Sequence, residues 1–364
     1  MPGGGGPRLA TALGIDLGKR TSWYAAVEEG DKLVEDGRFL SSKEAVVELV
    51  EKHHPEVVLV EASSVTAWAV DALVEAKANV WPVHPGSLPG RKNRRRKNDK
   101  VDAHQLVRLY RAGAITKAWI PPPDLRKLRD LARARWRLAG DRTRFRNRVH
   151  SALNQDAQRI QRDDLELEGK RLFTLNAPDL VLAQRPELAP AYHAEQLLTR
   201  EMKLLDKRIC EVSEGLPVVQ RLQTVPGFGP ITSLALYAEI GDIARFERAE
   251  QVVAYFGLEP VIEQSSDTVK QLGISHRGPG WIRGLLTQAA WTHVRHAPLS
   301  HVSRKYKRLA KRTGKQRAIV ATARRLVKVA YWIWRDGTQF EPRGRTPARA
   351  CSPPTSVDGA RRLE

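Results

Sequence analysis

Four acidic residues stand where carboxylates can do metal chemistry. Asp16 ends the apolar run Ala12-Leu13-Gly14-Ile15, Glu61 ends Val57-Val58-Leu59-Val60, and Asp99 and Asp102 open a helical pattern three residues apart. Residues at i and i+3 share one face of a helix. A strand-borne Asp, an acid at a neighbouring strand end and two acids on one helix can converge at one edge of a sheet. Hard oxygen ligands of this kind suit Mg²⁺, with Mn²⁺ as the alternative ion. Two such ions ~4 Å apart can clamp the attacking and leaving oxygens of a phosphodiester displacement. The run Arg91-Lys92-Asn93-Arg94-Arg95-Arg96-Lys97, just ahead of Asp99, offers contacts to backbone phosphate, with Arg94, Arg95, Arg96 and Lys97 foremost. Each residue also has a plainer reading as a turn aspartate, a helix cap or a solvated basic loop. The set as a whole, in this order and in a basic chain, favours the metal site.

A second group lies in the last third. Val225-Pro226-Gly227-Phe228-Gly229-Pro230 followed by an apolar helix resembles a helix-hairpin-helix, in which a Gly-x-Gly turn and the next helix's N-terminus hold phosphate without reading sequence. A plain helix–helix turn, or a protein contact, explains the same residues. Ser265 and Ser266 fall in a polar stretch, 261–267, that reads as a flexible loop after Phe256-Gly257-Leu258-Glu259-Pro260. On chemistry alone they are exposed turn residues, because no Gly-x-Ser-x-Gly elbow is present and no His stands at a telling spacing. His53-His54 reads as a helix end, and His276 as at most a phosphate contact.

The charge balance says what such groups act on. Lys and Arg number 61 against 41 Asp and Glu, a formal net charge of +20, which points to a polyanionic partner. Residues 126–148 hold ten basic and two acidic side chains, with Arg133, Arg137 and Arg144 as candidate contacts. Residues 268–335 hold sixteen Lys or Arg and no acid, with Arg277, Arg283 and Lys305 as candidates. No stretch approaches the ~18 apolar residues that span a bilayer, and the Gly/Pro-rich start lacks a signal-peptide core, so no membrane is expected. Cys210 and Cys351 alone make neither a disulfide framework nor a zinc site. A cytoplasmic protein, associated with the nucleoid when it acts, is expected.

These residues need a scaffold. Residues 12–16 and 23–27 read as a hairpin, 42–53 as a helix capped by Ser42, 57–60 as a buried parallel strand, 64–76 as a helix, 79–83 as a strand and 99–111 as a helix. Alternating strands and helices make a mixed α/β sheet. One long helical pattern covers 124–162 and another 190–213, an antiparallel hairpin or coiled coil. The organisation expected is a disordered leader (1–11), an α/β domain with the acids (12–120), a helical region (121–215), a mostly α C-terminal domain with the glycine turn and the serines (216–340) and a disordered tail (341–364).

From Leu13 to about Phe340 the chain resembles the DEDD transposases of the bacterial insertion-sequence family one hundred and ten. The motifs that carry the resemblance are Gly14-Ile15-Asp16, Glu61-Ala62-Ser63 and Lys97-Asn98-Asp99-Lys100-Val101-Asp102-Ala103, where Asn98 replaces the usual Thr. Pro226-Gly227-Phe228-Gly229, Phe256-Gly257-Leu258-Glu259-Pro260, Ile274-Ser275-His276-Arg277-Gly278 and Ile282-Arg283 follow in the family's order. The resemblance implies an RNase H-like (RuvC-like) N-terminal domain whose four acids bind Mg²⁺. It also implies a catalytic serine a few residues after the Gly-Leu-x-Pro element, which falls on Ser265, with the adjacent Ser266 as the other match. That serine would attack the DNA phosphodiester and leave a covalent phosphoserine intermediate. Family resemblance further implies a structured non-coding bridge RNA as guide, donor and target DNA as substrates, and a dimer or tetramer with 190–213 as a coiled-coil contact.

Three other readings fit less well. A Holliday-junction nuclease would use the same acids with water as nucleophile. An actin-like ATPase or sugar kinase needs further phosphate and adenosine loops that are not in credible order. A non-catalytic nucleic-acid-binding protein leaves the four acids unexplained.

Overall fold

The structure is a computed structural model. It describes residues 11–63, 65–88, 99–157, 186–265 and 268–343; the side chains of 99–102, 153–157, 262–265 and 268–272 lie outside the description. The chain divides into two compact units, residues 1–123 and 124–364.

The first unit is built on a five-stranded sheet of β1 (Ala12–Asp16), β2 (Thr21–Val27), β3 (Leu33–Leu40), β4 (Val57–Glu61) and β5 (Val80–Val83), in the order β3-β2-β1-β4-β5. β1 pairs antiparallel with β2 and parallel with β4, and β4 pairs parallel with β5. Side chains alternate across a strand, so each face collects its own core. Leu13 and Ile15 pack with Val58, Val60, Val46 and Leu73 beneath α1 (Lys43–His53) and α2 (Ala67–Glu75). Ala12 packs with Val57, Leu59, Leu106 and Val107 beneath α3 (Asp99–Arg111) on the other face. Val57 to Val60 are all buried, which is why β4 reads as an unbroken apolar run. The Ser42 hydroxyl accepts from the Ala45 N–H and caps α1 as expected. The expected mixed α/β sheet is present, and the described remainder of the chain is mostly helical.

One strand was not legible. β3 pairs with β2 alone among the described residues and leaves Leu33, Val34 and Leu40 exposed. Its sequence, Leu-Val-Glu-Asp-Gly-Arg-Phe-Leu, has charges in the middle and no clean alternation, as an edge strand without a buried face allows.

The second unit comprises α4 (Pro123–Ala157), from Asp124 onward, α5 (Ala189–Glu214), α6 (Pro217–Gln223), α7 (Pro230–Ile240), α8 (Ala249–Tyr255), the hairpin β6 (Pro260–Ser265) and β7 (Thr268–Ile274), α9 (Gly280–His296), α10 (His301–Thr313) and α11 (Lys315–Asp336). Arg135 of α4 grips Asp206 of α5 at 2.6 and 3.1 Å, and Arg146 meets Glu195 at 2.7 Å. As the numbers rise on α4 they fall on α5, so the two helices are antiparallel. The core holds Leu236, Phe256, Ile282, Leu286, Leu326 and Tyr331. Glu239, 1% exposed, is met by Arg133, while Arg129 donates to the Ala238 and Glu239 carbonyls at the end of α7. Cations at a helix C-terminus answer its unpaired carbonyls and dipole.

The expected loop at 261–267 is corrected: residues up to Ser265 belong to β6, and β7 begins at Thr268. The backbone ladder of a two-stranded ribbon accepts polar residues, so the polar sequence looked like a loop. The β-branched Val261, Ile262, Thr268 and Val269 were the strand signal. The leader 1–10, the basic run 91–97, Ser266 and the tail beyond 343 lie outside the described residues.

Candidate active site

The carboxylate site is set by strand register. β1 and β4 run parallel with Ile15 opposite Val60, so Asp16 and Glu61 follow side by side at the same end of adjacent strands. Neighbouring strands lie about 4.8 Å apart. Asp16 shares the parity of Ala12, and Glu61 that of Val57 and Leu59, so both stand on the face that α3 covers.

α3 brings the other two acids to the same end. Its last residue, Arg111, donates to the Val27 and Glu28 carbonyls, and Val27 pairs with Ala12 at the start of β1. Further back along the helix, a Cβ on Gly14 would fall 2.2 Å from the Ala103 carbonyl oxygen. Only a glycine admits that approach. α3 therefore runs against β1, and its first turn, with Asp99 and Asp102, faces the strand ends that bear Asp16 and Glu61. The side chains of Asp99 and Asp102 lie outside the description; backbone placement alone gathers the set. Among the described residues no group of three or more His, Cys, Asp or Glu is arranged to hold a metal.

Two local networks hold the strand ends, and sequence reasoning passed over both. After Glu61, the buried Thr66 hydroxyl donates to the Glu61 carbonyl at 2.6 Å and accepts from the Ser63 N–H at 2.9 Å. After Asp16, Ser22 Oγ accepts from the Gly18 N–H, Ser41 Oγ donates to the Gly18 carbonyl, and the two hydroxyls lie 2.7 Å apart. The available signal was a hydroxyl residue a few positions past each acid, the usual chemistry of a pinned turn.

The serine candidate sits on a braced hairpin. Ser265 is the last residue of β6 and pairs with Thr268. At the base, the Ser275 N–H donates to the Glu259 carbonyl and the His276 N–H to the Gly257 carbonyl. Arg283 on α9 reaches the Phe256, Arg277 and Gly278 carbonyls with one nitrogen, at 3.0 to 3.2 Å. Arg283, read from sequence as a nucleic-acid contact, thus has an internal use. Arg133 likewise spends its guanidinium on Glu239. Arg137 and Arg277 are exposed; Arg144 is exposed and pairs with Asp141. Lys305 is exposed and its ammonium is held below the usual lysine range, first by Arg325, then by partial burial and by Arg308, Arg324 and Lys328. Arg94, Arg95, Arg96 and Lys97 lie outside the described residues.

The glycine turn joins α6 to α7. Gly227 has φ +94°, and a Cβ there would lie 2.4 Å from the Ala289 carbonyl of α9. Val225 and Phe228 are buried beside it. His293 of α9 locks the same turn: Nδ1 donates to the Pro226 carbonyl at 2.7 Å, and Nε2 lies 2.8 Å from Ser300 Oγ. The face of the turn towards α9 is therefore core.

Two family profiles match the segments just described. One, described as "Transposase" and named for the DEDD transposases of IS110, matches residues 13–156, which hold all four acids. The other, described as "Transposase IS116/IS110/IS902 family", matches 219–307, which hold the glycine turn and the serine hairpin. The chain belongs to the IS110/IS116 transposase family. Among relatives, the putative transposase y4rJ of Sinorhizobium fredii is 27% identical, across 90% of this chain and 94% of its own. The transposase for insertion sequence element IS1111A of Coxiella burnetii is 29% identical across 65% of this chain and 66% of its own. For another S. fredii putative transposase, y4qE, the match is 29% identical over 58% of this chain and spans 52% of the relative's length. Of solved structures, Thermus thermophilus RuvC in complex with a Holliday junction substrate matches 30% of this chain and 99% of its own, at 17% identity and a TM-score of 0.24. No described helix is long and apolar enough to cross a membrane.

Proposed function

We propose that the chain cuts and rejoins DNA at the ends of an insertion element. In this reading Asp16, Glu61, Asp99 and Asp102 hold Mg²⁺, Ser265 is the nucleophile, and a non-coding guide RNA selects the sequences. The observation that carries the proposal is the gathering of Asp16, Glu61 and the start of α3 at one end of a family-matched sheet. A set of hard carboxylate oxygens fits a divalent cation, and the family's DEDD character implies one. A cation bound there supplies charge neutralisation at a phosphorus under attack.

The chain's own residues then have distinct tasks. The Ser265 hydroxyl gives up its proton, its Oγ–P bond forms, the P–O bond to the departing strand breaks and the departing oxygen is protonated. Attack by a hydroxyl of another strand reverses these steps and frees the serine, so bond energy is kept without ATP. Ser266 is the alternative nucleophile. Arg283 and the β6–β7 ladder hold the hairpin that bears the serine. The three basic zones support a reading in which the protein grips backbone while base pairing reads sequence. Leu197 and Leu204, exposed and seven residues apart on α5, support assembly into a dimer or tetramer through that helix.

The test is strand transfer on a plasmid carrying the element's ends, in the presence of its RNA. Asp102→Ala should abolish product while the circular-dichroism spectrum stays unchanged. Ser265→Ala should remove the protein–DNA adduct that survives denaturation. Persistence of that adduct in Ser265→Ala and its loss in Ser266→Ala would move the role to Ser266; cleavage without any adduct would overturn the serine mechanism in favour of water.

A further inference from the structure

We propose that the groove between α10 and α11 is a docking site for the phosphate backbone of a nucleic-acid duplex, centred on Lys305 and Arg325. The proposal deepens the reading of a DNA-handling enzyme and rests on it. Two adjoining cavities follow this helix pair. One, of 220 Å³, is lined by Lys305, Arg324, Arg325 and Lys328 over a floor that includes Tyr306 and Thr322. The other, of 630 Å³, is lined by Arg304, Lys305, Lys307, Arg308 and Arg325. Lys305 and Arg325 belong to both, so the two cavities make one continuous cationic groove.

The charges in this groove lack local counterions. Lys328 pairs with Glu250, which is exposed. Lys305, Arg308, Arg324 and Arg325 have no carboxylate partner among the described residues, and residues 268–335 contain no Asp or Glu to supply one. The crowding raises the energy of the charged state, as the lowered Lys305 shows. The Arg325 Nε is buried without a hydrogen-bond partner, although a buried donor ordinarily finds one. Like charges held together in this way are relieved by a polyanion that enters from outside.

The shape argues for backbone rather than bases. On α10, Arg304 and Arg308 are four residues apart, about 6 Å along the axis. On α11, Arg324 and Lys328 repeat that spacing. Two parallel cation rows suit a regular line of phosphates. Single-stranded binders instead offer aromatic rings on which bases stack. Of the rings that line this groove, Tyr306 is 9% exposed and packs against Trp291, and His301 stacks on Phe340. Guanidinium groups add bidentate geometry for phosphate oxygens.

The experiment titrates salt against binding by the full-length protein. The probes are a fluorescein-labelled 30-base-pair DNA duplex of arbitrary sequence and an RNA duplex of the same length, read by anisotropy. A triple variant, Lys305→Gln, Arg308→Gln and Arg324→Gln, is compared with a charge-matched control, Lys43→Gln, Lys77→Gln and Lys203→Gln. Each lost phosphate contact lowers the slope of log K against log salt by about one unit. The groove variant should therefore bind at least tenfold more weakly at 0.1 M salt, with a slope shallower by about three, and show no fall in its thermal midpoint. Loss on either duplex supports the site and names the strand type it takes. Unchanged affinity and slope on both, or equal losses in the control, would overturn it. Failure of the parent itself to bind would sink the broader DNA-handling reading, whereas an inert groove variant of a binding parent sinks the groove alone.

Discussion

Strand register sets Asp16 beside Glu61, and two uncharged residues, Gly14 and Thr66, hold the elements around them. Gly14 lets the Ala103 carbonyl of α3 rest on β1, and Thr66 ties off the backbone just where β4 ends. Thr66→Val keeps the shape but removes the buried hydroxyl that bonds the Glu61 carbonyl and the Ser63 N–H in a partly buried turn. Losing such a partner costs about 1–3 kcal/mol. Chemical denaturation of the first unit should show that loss, and strand transfer should fall with it. The acids themselves were legible because each closes an apolar run or opens a helix. Their supporting hydroxyls were not, since a buried Thr and a surface Thr look alike in sequence. The same limit explains Arg133 and Arg283. Nothing local tells that Arg133 meets Glu239, 106 positions away, or that Arg283 holds three carbonyls rather than a phosphate.

Among the elements, the glycine turn is held by a histidine whose protonation matters. Burial pushes the His293 imidazole below the usual histidine range, and the Pro226 carbonyl only partly offsets that. The neutral ring is the folded form. Its contribution to stability is therefore present above the unfolded value near 6.5 and is lost as pH falls through the lower folded value. His301, also depressed by burial, acts in the same direction. The urea midpoint of the full chain should fall between pH 7.5 and pH 5.0, and His293→Gln should fall by less over the same interval. Equal falls would mean that the ring is indifferent to the turn. Elements with a buried face were readable from pattern alone: β1, β4, α1 and the long helices α4 and α5. β3 buries only part of Phe39 against the core and has no clean alternation, so periodicity had little to report.

At the scale of the molecule, the first unit carries apolar cores on both faces of its own sheet, which is what an independent folding unit needs. A fragment spanning residues 1–123 should show a single cooperative thermal transition and far-ultraviolet signals of mixed α/β structure. A gradual, non-cooperative melt would make that unit dependent on the rest of the chain. Charge is spread unevenly, with the acid-free stretch confined to the second unit. β3 bears on how the whole protein behaves at high concentration. Its outer edge shows Leu33, Val34 and Leu40 to water, interrupted by Glu35, Asp36 and Arg38. Those three charges act as gatekeepers against edge-to-edge aggregation; stripped of them, the strand would invite the next copy's strand to add on, and expression would end in inclusion bodies.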